Sequence, residues 1–280
     1  MSDLLDANEA LATSSLAMTA ADFDSIRRLI HDRAGISLHD GKRAMVFGRL
    51  SRRLRQTAHP SFAAYLRELE GDPRSPEWQS FVNSLTTNLT SFFREEHHFN
   101  ALVDDLEARA STPLRIWCNA ASTGEEPYSL AMTVAETLGS RAQVEVLCSD
   151  IDTDVLESAG RGVYASDARG LSPERLRRHF QRGTGANAGR IRVKPELTRL
   201  LRFFQFNLMA SDWAALGAPF DIVFCRNVMI YFDHDTQLRV LQRMHGVMKP
   251  GALLYVGHSE NFTHAHRWFR LRGKTVYERV

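Results

Sequence analysis

Residues 114–127, from Leu114 to Pro127, run LRIWCNAASTGEEP. Leu114, Ile116 and Trp117 form a short apolar run of the kind a buried strand makes. Ala120, Ala121, Ser122 and Gly124 are small. Glu125, Glu126 and Pro127 follow, residue types favoured in the first turn of a helix. From Tyr128 the apolar spacing lengthens to a helical one through Ala131, Met132, Ala135 and Leu138. The stretch therefore predicts strand, tight turn, helix. Where a parallel sheet hands its chain to a helix in this way, nucleotide-like ligands bind at the turn. The plain alternative is a strand-to-helix corner whose small residues serve only packing, because a glycine-bearing turn alone is a weak signal.

Downstream, Val144 to Leu147 read as a second buried strand, which ends in Ser149-Asp150-Ile151-Asp152. An acid in that position suits the hydroxyls of a ribose. A helix is expected over Val155 to Ala159. The pattern then breaks between Tyr164 and Leu200. An arginine-rich helix (Pro173 to Phe180), the glycines 183, 185 and 189, and an alternating Arg190-Ile191-Arg192-Val193 strand predict an antiparallel insertion. The α/β order resumes with Leu201 to Phe206 and Asn207-Leu208. Next come the almost wholly apolar strand Phe220 to Cys225, a helix through Leu238, Leu241 and Met244, and a stop at Pro250-Gly251. Leu253 to Val256 and Thr275 to Val280 read as the last strands.

Upstream, residues 1–20 are small, polar and aperiodic and read as a loose tail. A small all-α domain is expected over 21–87. In it Phe23, Ile26, Leu29 and Ile30 mark one helix, Val46, Leu50 and Leu54 a second, and Phe62, Tyr65, Leu66 and Leu69 a third. Between Asp24 and Pro60 nine Lys or Arg stand against three Asp, and Arg49, Arg52 and Arg55 lie away from the apolar stripe. Such a run is either a solvated face or a device that steers an acidic partner. The adjacent His97 and His98 cannot share a helix face as metal ligands spaced i, i+4 do, so core or surface roles are expected and no metal.

The whole chain of 280 residues carries a formal charge of +2, with 44% hydrophobic and 24% charged residues. That balance argues against nucleic acid as a general partner. Cys118, Cys148 and Cys225 all fall in predicted strands and lack metal-ligand spacing, as expected of buried thiols in a reducing compartment. With no run of membrane-spanning length and no secretory pattern, a cytoplasmic protein is expected, not inserted in a membrane, and a monomer.

Four segments give the chain a likeness. Asn88-Leu89-Thr90-Ser91-Phe92-Phe93-Arg94, Ala121 to Ser129, Ser149 to Asp152, and Cys225-Arg226-Asn227-Val228-Met229-Ile230-Tyr231-Phe232 occur in the order found in the chemotaxis receptor methyltransferases, the CheR family, which this chain resembles over roughly Phe23 to Val280. The last run is highly specific, and no motif position departs from the pattern. The resemblance implies a Rossmann-like α/β methyltransferase sheet over 88–280 with an antiparallel β insertion at 164–200, preceded by the helical domain. It implies S-adenosylmethionine as methyl donor, S-adenosylhomocysteine as product and no metal. It also implies glutamate γ-carboxylates of a chemoreceptor cytoplasmic domain as acceptors, and cofactor contacts from Asn88, Thr90, Arg94, Glu125, Asp150, Asn207, Leu208, Arg226 and Asn227.

The chemistry of the residues agrees with this. Asp150 suits a ribose diol, Glu125 an ammonium, and an arginine fork a carboxylate. A target glutamate, with a reference pKa of about 4.3, is already ionised and needs no general base. Arg94, Arg226 and Tyr231 are expected to hold the target carboxylate and shape the methyl path, structural ion pairs being the alternative for each arginine. Asp152, two residues beyond Asp150, is expected to matter far less. Arg49, Arg52 and Arg55 are expected to guide the glutamate-rich substrate, and the insertion to grip a receptor C-terminal peptide, as in some members. Two other readings remain open from sequence: a non-catalytic S-adenosylmethionine-binding receptor adaptor, and a methyltransferase for nucleic acid or a small molecule. A nicotinamide dehydrogenase is disfavoured because the turn lacks GxGxxG spacing.

Overall fold

The computed structural model describes residues 16–110, 112–139 and 142–280, so the expected tail lies outside the described residues over 1–15. The chain forms two compact units, the first running to Thr86 and the second comprising Thr87–Val280 together with Ala34–Ile36.

The first unit is helical: α1 (Ala20–Ala34), α2 (Arg43–Gln56), α3 (Phe62–Gly71) and α4 (Glu77–Leu85). Thr19 and Asp22 open α1 with a reciprocal capping box, each side chain accepting the other's main-chain N–H at 3.1 and 2.9 Å. The apolar stripes close on one another, with Ile26, Ile30, Val46, Leu50, Leu54, Phe62, Tyr65 and Phe81 all buried. α4 adds a fourth helix to the three that the sequence marks, with a stripe of Trp78, Phe81, Val82 and Leu85. Glu77 ties the unit together, accepting from Arg53 Nε at 2.7 Å and from the Tyr65 hydroxyl at 2.8 Å. The Glu77 carboxyl sits below its usual range, burial being outweighed by the Arg53 and Tyr65 hydrogen bonds.

The second unit begins with α5 (His97–Ala108) and continues β1 (Leu114–Cys118), α6 (Glu125–Leu138), β2 (Val144–Asp150), α7 (Thr153–Arg161), β3 (Val163–Ala165), α8 (Pro173–His179), β4 (Phe180–Arg182), β5 (Arg190–Val193), α9 (Pro195–Thr198), β6 (Leu201–Gln205), β7 (Phe220–Cys225), α10 (His234–Gly246), β8 (Met248–Val256), β9 (Phe269–Gly273) and β10 (Val276–Arg279). Seven strands form one sheet in the order β6-β2-β1-β7-β8-β10-β9, and β3-β5-β4 form a second, antiparallel one. Strands β6, β2, β1, β7 and β8 are parallel, and β10 and β9 complete the sheet as an antiparallel hairpin. This is the Rossmann-like α/β fold with an antiparallel insertion that the sequence predicts.

Side chains alternate across the central strands. Ile116, Cys118, Ile222, Phe224, Leu253 and Tyr255 join one core with Phe99 and Leu102 of α5 and Leu130 and Val134 of α6. Trp117, Val223, Cys225, Leu254 and Val256 join the other with Val240, Leu241 and Met244 of α10. Both faces of the parallel strands are thus covered, which is why they read as continuous apolar runs. Pro250-Gly251 lies inside β8 rather than stopping a helix; Gly251 has φ 73° and the β7–β8 register shifts nearby. Among the described residues no helix is long and apolar enough to cross a membrane.

Candidate functional site

The strand order reverses between β1 and β7, because the chain moves from β1 outward to β2 and β6 and then returns to the other side for β7 and β8. At such a switch point the loops beyond the carboxyl ends of neighbouring strands splay apart and leave a crevice. The segments Asn119–Gly124, Ile151–Asp152, Phe206–Leu208, Arg226–Tyr231 and Gly257–Glu260 all leave the sheet at that end.

The turn after β1 is shaped by its conformation. Ser122 has φ 47° and Gly124 φ 99°. A Cβ on Gly124 would stand 2.6 Å from the Tyr164 hydroxyl and 3.0 Å from the Ala159 Cβ, so only glycine brings the start of α6 this close to α7 and β3. The turn then donates the Ser122 N–H to Asp150 Oδ2 at 2.8 Å, while the Asp152 N–H reaches Asp150 Oδ1 at 3.0 Å. Ser122 Oγ donates to the Asn88 carbonyl at 2.9 Å, and Asn88 Nδ2 donates to Asp152 Oδ2 at 2.7 Å. Asn88, Ser122, Asp150 and Asp152 are thereby one cluster.

Asp150 is buried, and burial pushes its carboxyl up to about 6, with the N–H groups of Asp152, Ser122 and Ile151 pulling the other way. Each oxygen accepts one of these N–H groups, Oδ2 from Ser122 and Oδ1 from Asp152, and each has a second lone pair to offer. A vicinal diol supplies two donors, and the residues fit an adenosine-bearing cofactor on that account. Asp152 has more to do than the sequence suggests. Its side chain caps α7 through the Asp154 and Val155 N–H groups at 3.0 and 3.3 Å besides holding Asn88.

Across the switch point lies Arg226, whose side chain is fully buried. It donates to Glu126 Oε2 at 2.5 Å and to the Arg94 carbonyl at 2.6 Å, and it pairs with Glu95 Oε2 at 3.2 Å. Both ends of the fork are committed to the protein itself. The geometry contains the structural ion pair that is the alternative to Arg226 presenting its fork to a target carboxylate. The signal that sequence reading missed was the pair Glu95 and Glu126, which bracket Arg226 from segments far away in the chain. Arg94 remains half-exposed, its Nη1 donating to the Leu89 carbonyl at 2.9 Å. Tyr231 is half-buried, and its hydroxyl has no hydrogen bond among the described residues.

The remaining expected residues are dispersed around the same strand ends. Glu125 is half-buried in the first turn of α6 and accepts from Thr123 Oγ1 at 2.6 Å. Asn207 is half-buried after β6, its Oδ1 accepting the Met209 N–H at 2.9 Å, and Leu208 is buried. Asn227 has φ 57° and Thr90 is half-buried. Glu95, His97 and His98 do converge, with ligand atoms within 4.8 Å of one another. Glu95 there already serves Arg226 and accepts the His258 N–H at 3.0 Å, and His98 Nε2 lies 2.8 Å from Thr275 Oγ1. A cation at this place would compete with Arg226 for Glu95.

On α2, Arg52 and Arg55 are exposed, but Arg49 is not part of that face. It donates to the Leu85 and Thr86 carbonyls at 3.2 and 2.5 Å and so finishes the C-terminus of α4. In the insertion, the Arg190–Val193 run is the central strand, β5, and the open edges belong to β3 and β4. Arg182, Arg190 and Arg192 are exposed along this sheet, and residues 181–184, 187 and 190–192 with Val163 line a depression of about 310 Å³.

Residues 88–278 match the family described as CheR methyltransferase, SAM binding domain, and residues 21–86 the family described as CheR methyltransferase, all-alpha domain. The chain is 52% identical to the chemotaxis protein methyltransferase of Escherichia coli (strain K12) over 95% of this chain and 93% of that one. It is 50% identical to chemotaxis protein methyltransferase 2 of Pseudomonas aeruginosa over 92% and 93%. Among solved structures, the CcbJ methyltransferase from Streptomyces caelestis is similar over 57% of this chain and 51% of that one, at 16% identity and a TM-score of 0.35.

Proposed function

Because the chain belongs to the CheR methyltransferase family, we propose that it transfers a methyl group from S-adenosylmethionine to the γ-carboxylates of specific glutamates in chemoreceptor cytoplasmic helices. The resulting methyl esters adapt chemotaxis signalling. The observation that carries this reading is the match of both units, in order and over nearly the whole length, to chemotaxis methyltransferases. Methyl transfer from labelled S-adenosylmethionine to a chemoreceptor cytoplasmic fragment tests it: label is expected in the receptor band, and an unlabelled receptor under saturating cofactor refutes it.

S-adenosylmethionine, when bound, supplies an activated methyl group on a sulfonium. Asp150 accepts from the ribose diol and Glu125 pairs with the ammonium. Asn88, Thr90, Asn207, Leu208 and Asn227 line the rest of the cofactor site from the strand ends. Arg226 acts indirectly, by fixing Glu126, Glu95 and the Arg94 main chain and so the aim of the Arg94 side chain. Arg94 and Tyr231 hold the target carboxylate. That group arrives ionised, so the protein's contribution is positioning and exclusion of water rather than proton transfer. Tyr231→Phe is expected to lower turnover about tenfold, one hydrogen bond's worth, with S-adenosylmethionine affinity unchanged. Wild-type turnover would reduce Tyr231 to packing.

Arg52 and Arg55 give α2 an exposed basic face suited to a glutamate-rich helix. Reversing both charges is expected to raise the receptor KM roughly five- to thirty-fold at low salt and to flatten its salt dependence. Cofactor affinity should not change. A receptor KM that stays put returns this face to the solvated surface.

The insertion is proposed to tether a receptor C-terminal peptide along an open edge of the small sheet, as an added strand. Such a tether raises the local receptor concentration to the order of millimolar. Gly183 keeps the β4–β5 turn tight, since a Cβ there would stand 2.1 Å from the Asn187 carbonyl oxygen. Replacing 183–189 with a longer loop should abolish peptide binding but spare methylation of receptors that lack the peptide. If no tail from the cognate receptors binds, the insertion has another role.

A further inference from the structure

Beyond β8 the chain turns through Gly257, His258 and Ser259 to Glu260, whose side chain is 4% exposed. No cation is paired with this carboxylate among the described residues. It accepts instead from four main-chain N–H groups. Oε1 takes those of Val228 and Met229, at 3.0 and 2.8 Å, and Oε2 takes those of Asn227 and Gly257, at 2.9 and 2.6 Å. Three consecutive amides, 227 to 229, thus converge on one anion in the manner of a nest, and the anion is the protein's own. The convergence requires Asn227 to hold its left-handed φ of 57°. It also requires glycine at 257, where a Cβ would stand 2.4 Å from Asn227 Nδ2, 2.9 Å from Asn227 N and 2.9 Å from Glu260 Oε2. Burial raises the Glu260 carboxyl from its ordinary value against the pull of these four donors.

A buried carboxylate of this kind is destabilising unless every lone pair is answered, so its presence demands an account. The segment it binds begins with Asn227 and leads to Tyr231, two of the residues on which the proposed reaction depends. We propose that Glu260 is a positioning residue for methyl transfer: it staples the loop after β7 to the loop after β8 and thereby sets where Asn227 and Tyr231 stand, without touching either substrate. The inference rests on the methyltransferase reading of the Cys225–Phe232 run and adds to it a residue far outside that run.

The chemistry admits only glutamate. Glutamine replaces one oxygen with an NH2, and in either orientation that group faces two N–H donors, so half the bonds become donor–donor contacts. Aspartate is one methylene short, which takes the carboxylate out of range of bonds that now span 2.6–3.0 Å. The β7–β8 pairing and the buried core around it do not depend on Glu260, so E260Q is expected to fold.

The test compares wild type with E260Q in three readouts. S-adenosylhomocysteine affinity by calorimetry is expected to fall about tenfold, turnover at saturating substrates about a hundredfold, and receptor KM not at all. The thermal transition should fall by roughly 5–15 °C and stay cooperative, as two unanswered buried donors require. A folded E260Q with wild-type product affinity and turnover overturns the inference. If E260Q fails to fold, Gly257→Ala decides. It forces the same two loops and the Glu260 carboxylate apart while keeping that side chain's chemistry, and wild-type turnover in that variant equally overturns the inference. Calorimetry needs no receptor, so a wild type that binds the product tightly but methylates nothing would count against the proposed function and not against Glu260.

Discussion

Asp150→Ala is expected to weaken S-adenosylmethionine binding ten- to about a hundred-fold, the worth of a charge-assisted hydrogen bond of about 1.5–3 kcal/mol. Among the described residues the buried carboxylate accepts from main-chain N–H groups, those of Ser122 and Asp152 at 2.8 and 3.0 Å, and its carboxyl is raised to about 6. The sign of the pH dependence follows. A carboxyl whose folded-state pKa is raised favours the protonated form in the free protein. That contribution to stability is complete below the unfolded value near 3.9 and is lost as pH rises through about 6. A ligand that donates two hydroxyls needs the ionised form. Its affinity should therefore fall about tenfold for each pH unit below about 6, with proton release on binding, and should level off above it. Calorimetry across that range checks both. Equal affinities for wild type and Asp150→Ala, or a flat pH profile, would remove the ribose assignment.

Arg226→Ala is expected to be the most destabilising single change in the second unit. It would leave Glu126 and Glu95 as unpaired carboxylates whose side chains are only 10% and 16% exposed, beside a hydrogen-bond-starved Arg94 carbonyl. Removing one partner from a buried ion pair costs about 3–5 kcal/mol, which for a unit of this size lowers Tm by roughly 10 °C or more. Replacing the three charges together, Arg226→Met with Glu95→Gln and Glu126→Gln, should recover much of the stability but not the activity. If Arg226 instead served the target carboxylate, Arg226→Ala would melt like wild type and raise only the receptor KM. Scanning calorimetry of the three proteins separates the two cases.

The fold was legible wherever a strand is covered on both faces. β1, β2, β7 and the end of β8 carry apolar runs for that reason, at Ile116–Cys118, Val146–Cys148, Ile222–Cys225 and Ala252–Val256. β9 escaped because only Phe269 is buried; its other residues are exposed, so the strand has no apolar signature and is held by its pairing with β10. α5 escaped because it opens on His97-His98 and its stripe of Phe99, Leu102 and Leu106 begins inside a segment that reads as a motif.

In the site, Asp150 was visible as an acid at a strand end. The role of Arg226 was not, since its partners are set by topology and not by spacing. Glu260 was invisible for a stronger reason: it binds main-chain amides, which every sequence has. Asp152 was undervalued for a related one, because a helix cap and an anchor for Asn88 look alike on paper.

If the acceptor is a glutamate side chain, the transferred methyl sits in an ester, and its lability in base reveals it. The wild-type protein is incubated with methyl-labelled S-adenosylmethionine and a chemoreceptor cytoplasmic fragment, and the labelled receptor is then exposed to mild base. A carboxyl methyl ester hydrolyses and releases the label as volatile methanol, so loss of label with base is the expected result. Label that stays on the receptor through base treatment marks methylated nitrogen or another stable linkage and contradicts a glutamate acceptor.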